Sequence, residues 1–217
     1  MTEPDVMVYL MTGFLDSGKT QFLTFTLKQD YFQIDGKTLL ILCEEGEEEY
    51  DPMEMLKYGV VIEKVEDQEN LTAEWLEEMN RKHEPERVVV EYNGMWKVSD
   101  FENMKLPAGW GIEQKITTVD ASTFQMYLTN LKPLFVEMVR GADMVLFNRC
   151  EDIKPLAGYR RSVKVVSPQA EVIFEDEQGE IENIFEDEVP YDLKAPVIEI
   201  AKEDYGIWYV DMMENPD

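Results

Sequence analysis

A short glycine-rich segment at residues 13–20, G-F-L-D-S-G-K-T, constrains the fold of this chain more than any other feature. It follows an almost uninterrupted apolar run, Val6–Met11, and leads into a stretch from Lys19 whose apolar residues have helical spacing. A strand, a glycine-rich turn and a helix in this order place backbone N–H groups and a helix N-terminus around an anion. The segment therefore predicts a phosphate-binding loop, with a glycine-rich turn carrying an accidental lysine as the alternative.

Further apolar runs predict a sheet whose strands are buried on both faces. They are Val6–Met11, Thr38–Cys43, Val88–Val90 and Met144–Phe147. Helical spacing predicts helices at 19–29, 71–79 and 124–139, the last of them kinked at Pro133. Residues 95–111, rich in glycine and proline, are predicted to form a loop or lid. We therefore expect an α/β fold of the P-loop NTPase class, with a mostly parallel central sheet flanked by helices.

The character of the chain changes near residue 175. Residues 171–191 are strongly acidic, with a hairpin turn predicted at Gln178-Gly179, and a strand-like run follows at Val197–Ile200. We predict a P-loop nucleotide-binding domain over residues 1–175. An acidic hairpin and C-terminal tail over 176–217 would begin a second module that is cut short here.

Charge and cysteine content exclude several classes of function. The chain has 46 acidic and 20 basic residues, a net charge of −26, which would repel a nucleic acid backbone. The charge is either a solvated acidic surface or a field that attracts metal cations or a basic protein. Two distant cysteines, an acidic start without a signal peptide and no long apolar run predict a cytoplasmic protein without membrane insertion.

The residues of the glycine-rich loop have distinct predicted roles. Gly13 and Gly18 permit the backbone conformation and the close approach of phosphate, and Lys19 supplies a positive charge to the β- and γ-phosphates. The hydroxyl of Thr20 is predicted to bind Mg²⁺. Asp16 places a carboxylate in an anion-binding loop, so it is expected to face outward or to reach the metal.

Two later segments add carboxylates at the ends of predicted strands. Residues 43–51, C-E-E-G-E-E-E-Y-D, form an acidic block that can meet Mg²⁺ or can be a solvated loop. Val88–Gly94 reads as a Walker B strand followed by a switch. In it Glu91 would hold Mg²⁺ through water or orient the attacking water, and the Gly94 N–H would contact the γ-phosphate.

A fourth segment resembles a reader of the guanine base. GTPases carry N-K-x-D after a buried strand, and this chain has N-R-C-E at Asn148–Glu151. Arg149 can stack on a purine at least as well as lysine. Glu151 keeps the charge that accepts two N–H groups of guanine, although its extra methylene must be accommodated. GTP is therefore the expected nucleotide, with ATP as the alternative.

Taken in order, these motifs resemble the CobW-like P-loop GTPases, relatives of the UreG and HypB metallochaperones. The family carries G-F-L-G-[AS]-G-K-T, N-E-F-G-E-x-G-I-D, E-x-x-G and N-K-x-D, which are similar to residues 13–20, 43–51, 91–94 and 148–151. The likeness covers roughly residues 5 to 175. It implies GTP hydrolysis coupled to delivery of a metal or a metal-bearing cofactor, with a metal-client or other target protein and a homodimer as partners.

The resemblance also implies roles for Glu44 and Asp51, which would serve the metal and the switch together with Glu91. The candidate residues are Lys19 and Glu91 for catalysis; Gly13, Asp16, Ser17, Gly18, Lys19, Thr20, Gly94, Asn148, Arg149 and Glu151 for the nucleotide; and Thr20, Glu44, Asp51 and Glu91 for the metal. One departure from the family is the absence of its C-x-C-C metal motif, because residues 60–87 contain no cysteine and only His83, predicted to be an exposed cap residue.

Three functions follow from these patterns. The leading hypothesis is a Mg²⁺-dependent, CobW-like GTPase with slow turnover. A nucleotide-gated interaction module with little hydrolysis is the second. The third is a carrier of hard metal ions that uses the acidic segment 171–188.

Overall fold

The apolar runs form the inner strands of one seven-stranded sheet in which every pair of neighbours is parallel. The structure is a computed structural model that describes residues 4–44, 46, 48–150, 153, 155–175, 198–202 and 208–212. The strands are β1 (Val6–Thr12), β2 (Thr38–Leu42), β3 (Val60–Lys64), β4 (Arg87–Glu91), β5 (Trp110–Asp120), β6 (Met144–Asn148) and β7 (Glu171–Phe174). Their order across the sheet is β3-β2-β4-β1-β5-β6-β7, which confirms the predicted parallel α/β architecture.

Seven α-helices connect and cover the strands in the part of the chain that the structure describes. They are α1 (Lys19–Leu27), α2 (Pro52–Leu56), α3 (Ala73–His83), α4 (Val98–Glu102), α5 (Phe124–Asn130), α6 (Lys132–Val139) and α7 (Ala157–Val166). None of these helices is long and apolar enough to cross a bilayer.

The core consists of two apolar layers, one on each face of the sheet. All residues of β2 and β4 are buried, because both strands have neighbours on each side and are covered on both faces. Leu39 and Ile41 pack in one layer, and Leu40 and Leu42 pack in the other. This alternation follows from the two-residue period of a strand. The first layer is closed by helices on its side of the sheet, and the second by α1 and α2.

Two sequence expectations were wrong in detail, and two strands were not predicted. The long helix predicted at 124–139 is two helices, α5 and α6, and Pro133 lies in the first turn of α6, where its missing N–H is not needed. The predicted lid at 95–111 contains α4 and the start of β5. Strands β3 and β7, which were not predicted, lie at the sheet edges, where partial exposure breaks up the apolar run.

The C-terminal region contains a separate antiparallel pair, β8 (Ile198–Lys202) and β9 (Trp208–Met212). The strand predicted near Val197–Ile200 is thereby confirmed. The hairpin turn predicted at Gln178-Gly179 lies outside the described residues. The division of the chain at residue 175 stays a prediction.

Candidate nucleotide-binding site

The predicted site residues lie at or just after the carboxyl ends of four strands, so they are all at the same end of the sheet. The glycine-rich loop at 13–20 leaves β1, Glu44 follows β2, Glu91 ends β4 and Asn148 ends β6. Parallel strands bring these ends together, and β1 lies where the chain order reverses, with β4 on one side and β5 on the other. In open α/β sheets, ligands bind in the crevice at such a point.

The backbone of the loop is left-handed at Asp16 and Gly18 and is packed closely against neighbouring strand ends. Gly18 has a φ of 86° and precedes the first residue of α1, and a Cβ at this position would collide with the Asn148 amide. Asp16 has a left-handed φ of 58° and an exposed side chain. Of the two expected positions for Asp16, the structure therefore shows the outward one. The hydroxyl of Ser17 is buried and hydrogen-bonds that of Thr118 at 2.9 Å, which ties the loop to β5.

Lys19 is almost completely buried, with 4% of its surface exposed. Its ammonium group donates to the carbonyl oxygens of Gly13 and Phe14, both at 2.9 Å, and forms an ion pair with Glu44 Oε2 at 2.6 Å. Three N–H groups are all that an ammonium has. Lys19 is therefore held across the loop, with its charge matched by a carboxylate from another strand end.

Glu44 connects the glycine-rich loop with the segment after β4. While Oε2 pairs with Lys19, the backbone N–H of Gly94 donates to Oε1 at 3.3 Å. Gly94 itself lies directly against the loop, since an added Cβ would stand 2.8 Å from the Cα of Phe14 and still closer to the Gly13 carbonyl. Only glycine fits at this contact.

A second carboxylate, Glu91, joins the loop to the acidic segment. It is 4% exposed, and Thr20 Oγ1 donates to its Oε1 at 2.8 Å while the hydroxyl of Tyr50 donates to its Oε2 at 2.5 Å. Burial raises the pKa of Glu91, and the hydrogen bonds from Tyr50 and Thr20 partly offset this effect. Tyr50 is a functional candidate that the sequence did not indicate, because only the fold brings it to the end of β4.

The oxygen groups of Thr20 and Glu91 suit a small hard cation. Mg²⁺ is usually held by one or two carboxylates together with substrate phosphates, so this pair fits a nucleotide-bound Mg²⁺. Asp51 is placed differently, since it caps α2 by accepting from the backbone N–H groups of Met53 and Glu54 at 2.9 and 3.2 Å. Among the described residues, no group of three or more His, Cys, Asp and Glu could hold a metal ion.

Two residues predicted to read the base, Asn148 and Arg149, lie beside the loop. Asn148 Nδ2 donates to the Ser17 carbonyl at 2.8 Å, while Oδ1 of the same amide is buried without a hydrogen-bond partner within the described structure. Arg149 donates to the backbone oxygen of Asp16 at 2.8 Å and forms an ion pair with Asp120 Oδ2 at 2.5 Å. Asp120 was not predicted, and Glu151 lies outside the described residues. A buried acceptor without a partner is costly, so Asn148 Oδ1 is a candidate acceptor for a donor from outside the described residues.

An open groove begins at these residues. It has a volume of about 830 Å³, and Gly18, Gln21, Asn148 and Arg149 line one end of it. The groove continues between α1 and the sheet, where its walls are mainly apolar and aromatic. This combination of an apolar cleft with a few polar groups at one end is typical of sites for small organic ligands.

Neither Cys43 nor His83 is placed as a ligand for a soft metal ion. Cys43 is buried, and burial followed by the charges of Glu91 and Glu44 raises the pKa of its thiol, which disfavours the thiolate that binds metals. The exposed position predicted for His83 was wrong. Its side chain is 16% exposed and hydrogen-bonds Glu63 at 2.7 Å.

A phosphate-binding loop between the first strand and helix of an all-parallel sheet defines a P-loop nucleotide-binding protein. The family model described as "CobW/HypB/UreG, nucleotide-binding domain" matches residues 7–174. The chain therefore belongs to the CobW/HypB/UreG family through its nucleotide-binding domain. Among curated proteins, no sequence match to the chain was found.

Solved structures share the fold. The hydrogenase maturation factor HypB from Archaeoglobus fulgidus matches with a TM-score of 0.55 and 17% identity, over 80% of this chain and 83% of that one. The Zn(II)-bound YjiA GTPase from E. coli matches with 0.57 and 22%, over 79% of this chain and 57% of that one. HypB from Helicobacter pylori in complex with nickel gives 0.53 and 13%, over 80% of each chain. At these identities the likeness concerns the fold.

The contact between Tyr50 and Glu91 makes a prediction about stability. Replacing Tyr50 with phenylalanine removes a hydrogen bond to a buried carboxylate, so we expect the free energy of unfolding to fall by about 1–2 kcal/mol. Urea denaturation at pH 7 measures this change. Tyr58→Phe is the matched control, because no hydrogen bond of the Tyr58 hydroxyl occurs in the described structure. Equal, small losses from both substitutions would contradict the assigned role of Tyr50.

Proposed function

We propose that this chain is a Mg²⁺-dependent GTP-binding protein that hydrolyses GTP slowly. The observation that carries the proposal is that three kinds of group lie together at the carboxyl ends of the strands. They are a buried ammonium in a phosphate-binding loop, a hydroxyl–carboxylate pair, and an amide with a buried oxygen that has no partner.

The phosphate end of the site would be formed by the loop and its neighbour after β4. The backbone N–H groups of 13–20 and the N-terminus of α1 would surround the phosphates, as in other P-loop proteins. Lys19 would reach the β- and γ-phosphates, and the Gly94 N–H, packed against the loop, would lie near the γ-phosphate.

The cation would be held by Thr20 and by Glu91, directly or through water. When bound, Mg²⁺ neutralises charge that develops on the phosphate oxygens. Tyr50 would fix the carboxylate of Glu91 so that its other oxygen faces Thr20. Because Lys19, the cation and the loop N–H groups are the only charge-neutralising groups we assign, intrinsic turnover should be slow without a partner that adds another.

The base end would read guanine. The unpaired Oδ1 of Asn148 would accept a hydrogen bond from the base, and Arg149, fixed by Asp120, would lie beside its ring. Glu151 would accept the two N–H groups that distinguish guanine from adenine. Of these contacts, the Asn148 acceptor has the strongest support, because its burial leaves it otherwise unsatisfied.

A nucleotide-gated interaction module with little hydrolysis is the second candidate. The ion pair of Glu44 with Lys19 favours it, because the lysine is engaged by a carboxylate at 2.6 Å. Phosphate release separates the two candidates. A hydrolase releases phosphate above the level of a Lys19→Ala variant, whereas a binding module does not.

The proposed cellular role is metal handling with a client protein. It is supported by membership in the family and by solved structures of similar fold whose proteins are bound to nickel or Zn(II). A homodimer and an acidic C-terminal module over 176–217 belong to the same proposal.

A competition titration tests the proposed nucleotide and its dependence on the cation. We expect GTP to displace a fluorescent guanine nucleotide at least about tenfold more effectively than ATP, a difference of about 1.4 kcal/mol. We also expect removal of Mg²⁺ with a chelator to weaken triphosphate binding. Calorimetry that detects neither GTP nor ATP at millimolar nucleotide with Mg²⁺ would rule the proposal out.

A further inference from the structure

We infer that Glu44 determines the preference of this site between a nucleoside triphosphate and a diphosphate, by competing with the γ-phosphate for its ligands. The inference rests on the proposed nucleotide-binding function. It also replaces the role that the resemblance implied for Glu44, that of a metal ligand.

The carboxylate of Glu44 binds two groups that come from different parts of the chain. Oε2 pairs with the Lys19 ammonium at 2.6 Å, and Oε1 accepts from the Gly94 backbone N–H at 3.3 Å. One is a positive charge in the phosphate-binding loop, and the other is an amide held against that loop by close packing. An anion bridging both groups takes the contacts that a γ-phosphate would make in the proposed complex.

The hydrogen-bonding capacity of Lys19 makes this competition unavoidable. Its three N–H groups are directed to the Gly13 carbonyl, the Phe14 carbonyl and the Glu44 carboxylate. A phosphate oxygen can accept from Lys19 only if one of these acceptors leaves. Glu44 is the one that must leave, because the two carbonyls belong to the loop itself while the carboxylate repels the incoming phosphate.

Burial increases the cost of keeping both anions. The side chains of Lys19 and Glu44 are 3% and 9% exposed, so water screens little of the repulsion between Glu44 and a phosphate beside Lys19. In the proposed complex a diphosphate lacks the γ-phosphate that would reach the Gly94 N–H, so Glu44 could stay on that group. A triphosphate needs both ligands, so it alone must displace the carboxylate completely.

Displacement of Glu44 would be transmitted along the segment that contains it. Tyr50, in the same connection between β2 and α2, holds Glu91 by a hydrogen bond. The triphosphate would therefore move one end of a segment whose other end touches the proposed cation site. By thermodynamic linkage, if the bound triphosphate stabilises one position of this segment, the triphosphate binds more tightly when the segment is already in that position.

Binding measurements on Glu44→Gln test the inference. The amide keeps an oxygen for Lys19 but removes the negative charge. We expect affinity for a non-hydrolysable GTP analogue with Mg²⁺ to rise about tenfold, and affinity for GDP to rise less than about threefold. Glu54→Gln is the matched control, since Glu54 pairs with Lys28 at 2.8 Å on the partly exposed side of α2. It should change neither affinity.

Three results of these binding measurements would contradict the inference or the function on which it rests. Weaker binding of the GTP analogue by Glu44→Gln would assign Glu44 to the metal and overturn the inference. An equal change in affinity for GDP and for the analogue would overturn it too, since the carboxylate would then not compete with the γ-phosphate in particular. Wild-type protein that binds neither nucleotide would instead overturn the proposed function, and this inference with it.

Hydrogen exchange on the wild-type protein provides a test that does not depend on a variant. If the GTP analogue displaces Glu44, amides of residues 43–51 should exchange faster with the analogue bound than with GDP bound. Slower exchange with the analogue would show that the γ-phosphate orders this segment, as a metal ligand would require, and would overturn the inference.

Discussion

Replacing Lys19 with alanine is expected to abolish measurable GTP binding and to lower the free energy of unfolding by about 3–5 kcal/mol. Both effects come from one ammonium group. Its loss removes the charge proposed to bind the phosphates, and it leaves the Glu44 carboxylate buried without its partner at 2.6 Å. An uncompensated charge in a buried position is much more costly than a broken surface pair. Calorimetry with GTP and Mg²⁺ and urea denaturation without nucleotide measure the two effects separately.

Two further variants show whether this explanation is correct. Lys19→Ala combined with Glu44→Gln should recover much of the lost stability, because the stranded charge is gone, but should not recover binding. Lys28→Ala breaks the partly exposed pair with Glu54 and should cost less than about 1 kcal/mol. If the double variant is as unstable as Lys19→Ala, the loss comes from the two loop hydrogen bonds of Lys19 rather than from Glu44.

Replacing Glu91 with glutamine is expected to lower the rate of GTP hydrolysis about 100-fold or more and, at the same time, to stabilise the nucleotide-free protein. The carboxylate is proposed to hold the cation or the attacking water, and the amide carries no charge for either task. Stability should rise because a buried charge is removed while an oxygen remains for the Thr20 hydroxyl. Single-turnover phosphate release and urea denaturation give the two values.

The pH dependence of this stabilisation identifies its cause. Burial raises the pKa of Glu91 above its ordinary value of 4.5, so the folded protein holds this proton more tightly than the unfolded chain. The contribution of Glu91 to stability therefore falls as pH rises from about 4.5 through its raised pKa. The advantage of Glu91→Gln over wild type should be larger at pH 8 than at pH 5. An advantage that shrinks as pH rises would contradict this assignment.

The elements that position the site could be predicted from the sequence because each one depends on local pattern. The strand before Gly13, the helix after Gly18 and the strands that end at Glu91 and Asn148 all have uninterrupted apolar runs or helical spacing. Since parallel strands present their carboxyl ends together, the meeting of these segments followed from the fold class.

The pairing of side chains within the site could not be predicted in the same way. Tyr50 meets Glu91 across 41 positions, and Arg149 meets Asp120 across 29. Such contacts depend on how the segments between them pack, which periodicity does not encode. Asp51 is a case in which a local contact, rather than a long-range one, was missed. Aspartate is a favoured N-cap and proline a favoured first helical residue, so Asp51-Pro52 could also have been read as a helix start, and the structure shows Asp51 as the cap of α2.

The amide of Asn148 has a consequence for anyone who wishes to redesign the nucleotide preference of this protein. The side chain whose Oδ1 is buried without a partner also donates to the Ser17 carbonyl at 2.8 Å and fills the space beside Gly18. The proposed contact with the base and the observed contact with the loop therefore involve one residue, so a substitution of Asn148 should change nucleotide preference and loop stability together. Libraries at this position should therefore be ranked by the ratio of two nucleotide affinities, because the affinity for either one alone will mix both properties.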